Sequence, residues 1–176
     1  GNAGLTILLI PLGAIPNDLL SGLVEPLMGA FGLPCDIASS VPIPPAAYDH
    51  DRRQYVGHAI LAALAALETP LEAERVLGIV DEDCYAPGLN FIFGQAAGPY
   101  AFIALPRLRQ SFYGLPEDEP LFRERVLKEA VHELGHTYGL GHCLDRRCVM
   151  HFSNSLRDTD VKGASFCRRC QTRLRR

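Results

Sequence analysis

Residues 132–142 read His132-Glu133-Leu134-Gly135-His136-Thr137-Tyr138-Gly139-Leu140-Gly141-His142. Two histidines four residues apart on a helix lie on one face, one turn above the other, so their imidazoles can converge on one metal ion. Gly139 favours the left-handed conformation that ends a helix, and the turn after it can bring His142 back as a third ligand. Three imidazoles and one open position are typical of catalytic zinc, whereas a structural zinc site closes all four positions.

Glu133 follows the first histidine directly, where a carboxylate can reach a metal-bound water without ligating the metal. Zinc held by His132, His136 and His142 would bring the pKa of that water towards neutrality, and Glu133 would accept its proton as the general base. The pattern therefore predicts hydrolysis of peptide bonds. The competing explanation is coincidence on an ordinary amphipathic helix, which the added glycine and third histidine make a poor one.

Met150 is one of two methionines in the chain and stands eight residues after His142. A methionine in a tight turn beyond the third histidine is the other mark of the metzincin signature, which the histidine string resembles. In some metzincins a tyrosine two residues after this methionine reaches the zinc, but here Phe152 stands there, preceded by His151. We therefore assign no further oxyanion donor and expect His151 to be a surface or supporting group.

Four cysteines follow the histidines at metal-ligand spacing: Cys143, Cys148, Cys167 and Cys170. Their thiolates can close a structural tetrahedral zinc site, and two disulfides or inert thiols are the alternatives. The two remaining cysteines, Cys35 and Cys84, have no partner at a useful spacing and are expected to be small buried residues.

Together these motifs closely resemble those of the archaemetzincins, a metzincin subgroup found in archaea and vertebrates. Sixteen residues separate Met150 from Cys167, one fewer than is usual in that family, and the difference falls in a connecting segment. The resemblance covers residues 132–170, and upstream it rests on element order and on the stretch Arg53-Gln54-Tyr55. It implies a zinc metallopeptidase that acts on peptides or proteins and binds two zinc ions per chain, one catalytic and one structural.

A second class of function stays open at this point. The chain could be a zinc-stabilised binding protein whose histidine site is empty or inhibited, with nucleic-acid binding through a zinc ribbon as a variant. Glu133 favours the enzyme, because a binding module needs no general base beside its metal.

Alternating apolar runs and amphipathic segments predict an α/β fold with a sheet of mixed direction. Strands are expected at residues 5–11, 35–41, 76–80, 91–93 and 101–105. Helices are expected from about residue 17 to 32, at 51–67 and at 121–138, with room for one more within 154–165. The segment between residues 106 and 120 is expected to be a loop rich in proline and charge.

The resemblance implies a metzincin-like arrangement, a twisted mixed β-sheet with helices above a small C-terminal subdomain. We expect one catalytic domain over residues 1–176, with an N-terminal subdomain at 3–139 and a C-terminal one at 140–176. The resemblance also places a bound peptide as an extra strand along the sheet edge near residues 90–95. Phe91 and Phe93 could equally be core residues, so this assignment is open.

Composition indicates an ordinary globular domain: 176 residues, 48% hydrophobic and 21% charged. A net charge of −3 gives no bulk attraction to nucleic acid or to anionic membranes. Five arginines near the end are expected to form a solvated, partly frayed tail: Arg168, Arg169, Arg173, Arg175 and Arg176. No segment approaches the roughly 20 apolar residues of a membrane span, and no secretory signal is evident. We therefore expect a cytoplasmic monomer.

Overall fold

The computed structural model describes residues 4–174 of the chain. Ala3, the predicted first residue of the N-terminal subdomain, lies outside the described residues. So do Arg175 and Arg176 of the predicted tail. Within the described part of the chain, no helix combines the length and the apolar character that crossing a bilayer requires.

The helices and strands alternate along most of the chain. The strands are β1 (Thr6–Leu12), β2 (Cys35–Ile37), β3 (Tyr48–Asp49), β4 (Gln54–Val56), β5 (Ala73–Val80), β6 (Cys84–Tyr85), β7 (Gly94–Ala97) and β8 (Tyr100–Ala104). The helices are α1 (Asn17–Phe31), α2 (Gly57–Ala66), α3 (Glu119–Thr137), α4 (Leu156–Val161) and α5 (Arg168–Arg173). Short 3₁₀ helices lie at Pro45–Ala47, Pro106–Leu108 and Gln110–Tyr113.

The central sheet has five strands in the order β2-β1-β5-β8-β7. The first four are parallel, and β7 runs antiparallel to β8 at one edge. A smaller sheet has the order β3-β4-β6. This mixed α/β architecture confirms the predicted fold class.

Both faces of the central sheet are buried, because successive side chains of a strand point to opposite faces. In β1, Ile7 and Leu9 belong to a core shared with α1 and α3. Leu8 and Ile10 belong to a second core, shared with α2. A continuous apolar run is what a strand covered on both faces requires, so the sequence pattern predicted β1 well.

The helix predicted over 51–67 is wrong in its first third. Arg53 has a φ of 57°, a left-handed conformation that a right-handed helix cannot contain. The Asp49 carboxylate accepts hydrogen bonds from the backbone amides of Asp51 and Arg52, which forms a turn. The chain then continues as β4, and α2 begins only at Gly57.

The strand predicted at 91–93 is displaced towards the C-terminus. The regular strand there is β7 (Gly94–Ala97), which begins directly after the predicted segment. Of the predicted residues, Ile92 makes an isolated bridge to Cys84, and the Phe93 carbonyl accepts a hydrogen bond from Ala104 at 2.8 Å. Gly98, with a φ of 57°, provides the turn into β8.

The C-terminal region contains one helix more than predicted. The helix α4 lies within the predicted segment 154–165, but α5 was not predicted. Arg168, Arg169 and Arg173 are exposed, as expected, yet they belong to α5 and so are not part of a frayed tail.

Candidate metal centres

Helix α3 carries three of the predicted site residues. It begins beyond Asp118, whose carboxylate accepts a hydrogen bond from the Leu121 amide at 3.1 Å. It ends where predicted, because Gly139 has a φ of 92° and its N–H donates to the His136 carbonyl at 3.1 Å. The turn that follows returns the chain towards the helix and brings His142 to its side.

Three imidazoles converge at this point. His132, His136 and His142 each offer one ligand nitrogen, and these atoms lie within 4.8 Å of one another. The Nε2 atoms of His132 and His136 are 3.1 Å apart. Zinc–nitrogen bonds of about 2.0–2.1 Å in tetrahedral geometry would place two ligand nitrogens about 3.3 Å apart. The spacing of the nitrogens therefore fits zinc.

The tautomers of two of these histidines are fixed by backbone carbonyls. Nδ1 of His132 lies 2.8 Å from the Val149 carbonyl, and Nδ1 of His136 lies 2.8 Å from the Leu140 carbonyl. A carbonyl only accepts, so each Nδ1 carries the proton and each Nε2 presents a lone pair. Two lone pairs facing each other at 3.1 Å repel unless a cation lies between them. The donor set is thus built for a metal ion.

The surroundings keep these imidazoles neutral. Burial holds the pKa of His132 well below its usual range, and it also lowers the pKa of His136 and, less deeply buried, of His142. Neutral imidazole is the form that binds metals, so the pKa shifts favour ligation over protonation.

Glu133 lies beside the imidazoles with its carboxylate free. The residue is 6% exposed, and no donor in residues 4–174 bonds to its oxygens. Burial raises the pKa of Glu133 well above its usual range, with a smaller contribution in the same direction from the Glu129 carboxylate. A divalent cation at the histidines would oppose this shift and hold Glu133 ionised. The carboxylate can therefore accept a proton that is released next to the histidines.

The edge strand β7 leaves little room around Glu133. A Cβ atom added to Gly94 would lie 2.9 Å from Oε2 of Glu133 and 2.5 Å from the carbonyl oxygen of Phe102. The absence of a side chain at Gly94 lets β7 and the carboxylate approach each other. Sequence reasoning missed this role of Gly94, because the close approach involves a helix more than thirty residues away.

Met150 lies in a turn that packs against α3 between the first two histidines. The His151 amide closes that turn by donating to the Cys148 carbonyl at 3.0 Å. The Met150 side chain is fully buried, and a Cβ atom on Gly135 would lie 2.5 Å from its Sδ. The glycine between the first two histidines therefore makes space for the methionine.

The four cysteines also converge. All of them are free thiols, and their sulfurs lie within 4.8 Å of one another. The Sγ atoms of Cys143 and Cys167 are 3.9 Å apart. Zinc–sulfur bonds of about 2.3 Å in a tetrahedron give a sulfur separation of about 3.8 Å. The set fits a closed zinc site, and the two disulfides considered as an alternative are absent from residues 4–174.

Backbone amides favour thiolates in this cluster. The amides of Met150 and Cys167 donate to the Cys148 sulfur at 3.4 and 3.3 Å. The backbone amide of Cys170 is the main cause that lowers the pKa of the Cys167 thiol to about 7. Because the thiolate is the form that ligates metals, these amide contacts favour the ligating form of Cys148 and Cys167, whereas burial raises the pKa of the Cys148 and Cys170 thiols.

A buried ion pair next to the histidines was not predicted. Lys162 is completely buried, and its Nζ lies 3.1 Å from Oε1 of Glu129 and donates to the His151 carbonyl at 3.0 Å. Sequence reasoning missed the pair because lysine and glutamate are normally exposed. One signal was available: Glu129 precedes Glu133 by four residues and so lies on the face of α3 that bears the site.

The other residues singled out in the sequence lie outside both clusters. His151 is a supporting group, as expected: its Nδ1 lies 2.8 Å from the Cys143 carbonyl, and it belongs to neither ligand set. Cys35 and Cys84 are buried, as predicted. Burial raises the pKa of Cys35 to about 11, so it stays a thiol at neutral pH.

A cavity of about 230 Å³ opens beside His132 and Glu133. It is lined by residues 88–94, by residues 152–154 and by Glu129. One wall is held from outside by Arg52, whose guanidinium donates to the carbonyls of Leu89 and Asn90 at 2.9 and 3.1 Å. The cavity can therefore receive part of a molecule bound at the histidines.

Comparison with known proteins identifies what this arrangement resembles. Residues 23–176 match the family model described as Peptidase family M54. The archaemetzincin of Pyrococcus furiosus is 45% identical over 175 residues, which cover 96% of this chain and 91% of that protein. The archaemetzincin of Methanocaldococcus jannaschii is 42% identical over 166 residues, covering 93% and 89%.

Solved structures agree with the sequence matches. The crystal structure of archaemetzincin from Methanopyrus kandleri superposes with a TM-score of 0.86 at 39% identity, covering 98% of this chain and 94% of that one. The crystal structure of archaemetzincin from Archaeoglobus fulgidus superposes with a TM-score of 0.83 at 36% identity, covering 97% of this chain and 100% of that one. The crystal structure of a zinc-dependent peptidase from Methanocorpusculum labreanum superposes with a TM-score of 0.85 at 27% identity, covering 96% of this chain and 99% of that one.

Proposed function

Because this chain belongs to peptidase family M54, the archaemetzincin zinc metallopeptidases, we propose that it hydrolyses peptide bonds at the three-histidine site with Glu133 as the general base. The family and the enzyme class confirm the resemblance drawn from the sequence. The observation that supports the site is the pair of Nε2 lone pairs of His132 and His136, 3.1 Å apart, with the free carboxylate of Glu133 beside them.

His132, His136 and His142 would hold the catalytic zinc. When bound there, zinc supplies Lewis acidity, which acidifies water and polarises a peptide carbonyl. The protein keeps the three imidazoles neutral by burial and orients two of them through the Val149 and Leu140 carbonyls. Such supporting contacts fix the tautomer and raise the basicity of the ligating nitrogen.

Glu133 handles the proton. As a carboxylate to which no donor in residues 4–174 bonds, it accepts the proton of the attacking water and delivers it to the nitrogen of the leaving amine. Its place between α3 and β7 restricts its side chain, so the proton is held at one location. This restriction is why Gly94 belongs to the functional site although it carries no functional group.

The peptide substrate would lie along β7. This strand pairs with β8 on one side only and ends the sheet order at that edge. An extended peptide can add there through main-chain hydrogen bonds, which require no particular side-chain sequence. The contact between Gly94 and Glu133 then puts the peptide backbone beside the base. In this proposal the peptide pairs with residues 94–97, whereas the sequence had suggested residues 90–95.

A second zinc would be held by Cys143, Cys148, Cys167 and Cys170, which gives two zinc ions per chain. This closed site has no open position and therefore no chemistry of its own. It joins the segment after the third histidine to the beginning of α5. On this basis we retain residues 140–176 as a C-terminal subdomain. The monomeric state, the cytoplasmic location and the lack of nucleic-acid or membrane partners stay predictions.

The test compares Glu133→Gln with the wild type on a diverse peptide library, with zinc per chain measured by mass spectrometry. We expect loss of hydrolysis with zinc content retained. The matched control is Glu124→Gln, an exposed carboxylate on the same helix, which should cleave normally. If the wild type binds peptides with two zinc ions in place yet cleaves none, the chain is the binding protein of the alternative hypothesis. An active Glu133→Gln variant would refute the assigned base.

A further inference from the structure

The cavity beside the histidines is lined by a second carboxylate, that of Glu129, which the proposed chemistry does not use. Glu129 is 2% exposed and lies one helical turn before Glu133. Its carboxylate lines the same cavity as Glu133 and His132. A buried carboxylate normally has a full set of donors, so the contacts of each oxygen matter.

Within residues 4–174, the hydrogen bonds to Glu129 and the short contact from Lys162 converge on one of its two oxygens. Oε1 accepts hydrogen bonds from Thr159 at 3.0 Å and from Ser153 at 3.5 Å, and Lys162 approaches it to 3.1 Å. Among residues 4–174, Oε2 accepts no hydrogen bond. Oε2 is nevertheless not sealed off by protein. In the described residues, Oε1 of Gln95 is the only fully buried side-chain nitrogen or oxygen that lacks a hydrogen-bond partner. Oε2 therefore faces the cavity.

The walls between the cavity mouth and this oxygen are apolar. Phe91, Ile92 and Phe93 line one side, and Phe152 lines another. A side chain that enters must thus present an apolar stem to the aromatic walls and a donor at its tip. Long basic side chains combine these two properties, since their methylene stems pack on apolar surfaces while the charged end seeks a partner.

The distance between Glu129 and Glu133 limits which substrate side chains can reach Oε2 of Glu129. Side chains four residues apart on a helix are about 6 Å apart at Cβ, so Glu129 lies about that far from the base that must adjoin the scissile bond. Serine, threonine and asparagine side chains are too short to cover this distance. Lysine carries its ammonium on a four-carbon stem, and arginine is of similar length.

Building on the proposed function, we propose that Glu129 is a specificity-determining residue that selects substrates with lysine or arginine at the position whose side chain enters this cavity. The free oxygen Oε2 accepts from the ammonium or guanidinium group. Lys162 balances part of the Glu129 charge through Oε1 and holds the carboxylate so that Oε2 points into the cavity.

The first experiment uses the wild-type, zinc-loaded enzyme. A diverse peptide library should show enrichment of lysine and arginine at one position fixed relative to the scissile bond. Matched peptides with lysine or norleucine at that position should differ in kcat/KM by about tenfold or more, the factor expected for one hydrogen bond to a charged group. Cleavage without any basic preference would overturn the inference and leave the proposed function intact. Cleavage of no peptide at all would overturn both.

The second experiment replaces Glu129 and its partner Lys162. Glu129→Gln keeps an oxygen for Thr159 but removes the charge, so the lysine-to-norleucine ratio should fall to near one. Because this change leaves Lys162 buried without its counter-charge, the double variant Glu129→Gln/Lys162→Met is made in parallel to preserve folding. The control Glu124→Gln should keep the wild-type ratio. A ratio that survives in the folded double variant would show that Glu129 has only a structural role.

Discussion

Gly135 and Met150 share one space: a methyl group on Gly135 would lie 2.5 Å from Sδ and 3.2 Å from Cε of Met150. The methionine can pack against α3 between the first two histidines only because the helix carries no side chain at that position. The HExxH string and the distant methionine are therefore coupled through packing as well as through the metal site.

We predict that Gly135→Ala destabilises the protein. Alanine normally stabilises a helix interior by about 1 kcal/mol relative to glycine, but overpacking a core costs about 1–3 kcal/mol. We expect the cost of overpacking to exceed the gain in helix propensity. The variant should therefore have a lower Tm in thermal unfolding and less zinc at the histidines in metal analysis. Gly29→Ala in α1 is the control, since nothing lies within 4 Å of its added Cβ. That variant should be neutral or more stable, and equal behaviour of the two would contradict the packing argument.

A second glycine change should separate catalysis from metal binding. The Cβ of Gly94→Ala would push on the Glu133 carboxylate and on the Phe102 carbonyl. We expect kcat to fall by about 100-fold, the order expected when a catalytic group is misplaced by about 1 Å, while zinc content stays at the wild-type value. Loss of the zinc instead would mean that β7 supports the ligands and not the base.

Chelation should distinguish the two metal sites. Imidazoles bind zinc only when neutral, so protons compete for the three histidines as the pH falls below about 6.5, the ordinary histidine pKa. Because burial lowers the pKa of His132, His136 and His142, this competition begins below that ordinary value in the folded protein, and the chelator then draws off the zinc that the histidines release. Dialysis against a chelator near pH 5.5 should leave about one zinc per chain, held by the thiolates. Release of both ions with the fold intact would refute the closed cysteine site.

The cysteine site should support the histidine site. Cys143 directly follows His142, and its amide donates to the Met150 carbonyl at 2.9 Å. Replacing Cys167 and Cys170 with serine should therefore loosen the segment that carries the third histidine, and lower both the Tm and the zinc affinity of the histidines. Competition titration with a zinc indicator measures that affinity. Undiminished affinity in the double variant would show that the thiolates give His142 no such support.

The histidine set could be predicted because its members are close in sequence and two of them stand at helical spacing, and the cysteine set because its members stand at metal-ligand spacing. Both sets converge in the structure, although the zinc ions and the roles of the residues stay predictions. The errors arose where distant contacts decide the conformation. The amide of Tyr55 donates to the Asp83 carbonyl at 2.9 Å, which draws residues 54–56 into a strand that local pattern had assigned to a helix. Likewise, Glu129 and Lys162 meet only through the packing of α3 against α4.

Strand β7 has a consequence for solubility as well as for substrate binding. An unpaired sheet edge is a template for any extended chain, including another copy of the same protein, and exposed edges are common starting points for aggregation. The sequence Gly94-Gln95-Ala96-Ala97 has no β-branched or aromatic residue, and Gly98 and Pro99 follow it. Such an edge pairs weakly by itself. A peptide must therefore gain affinity from the adjoining cavity and the metal, which lets the edge stay open to substrates while discouraging permanent partners.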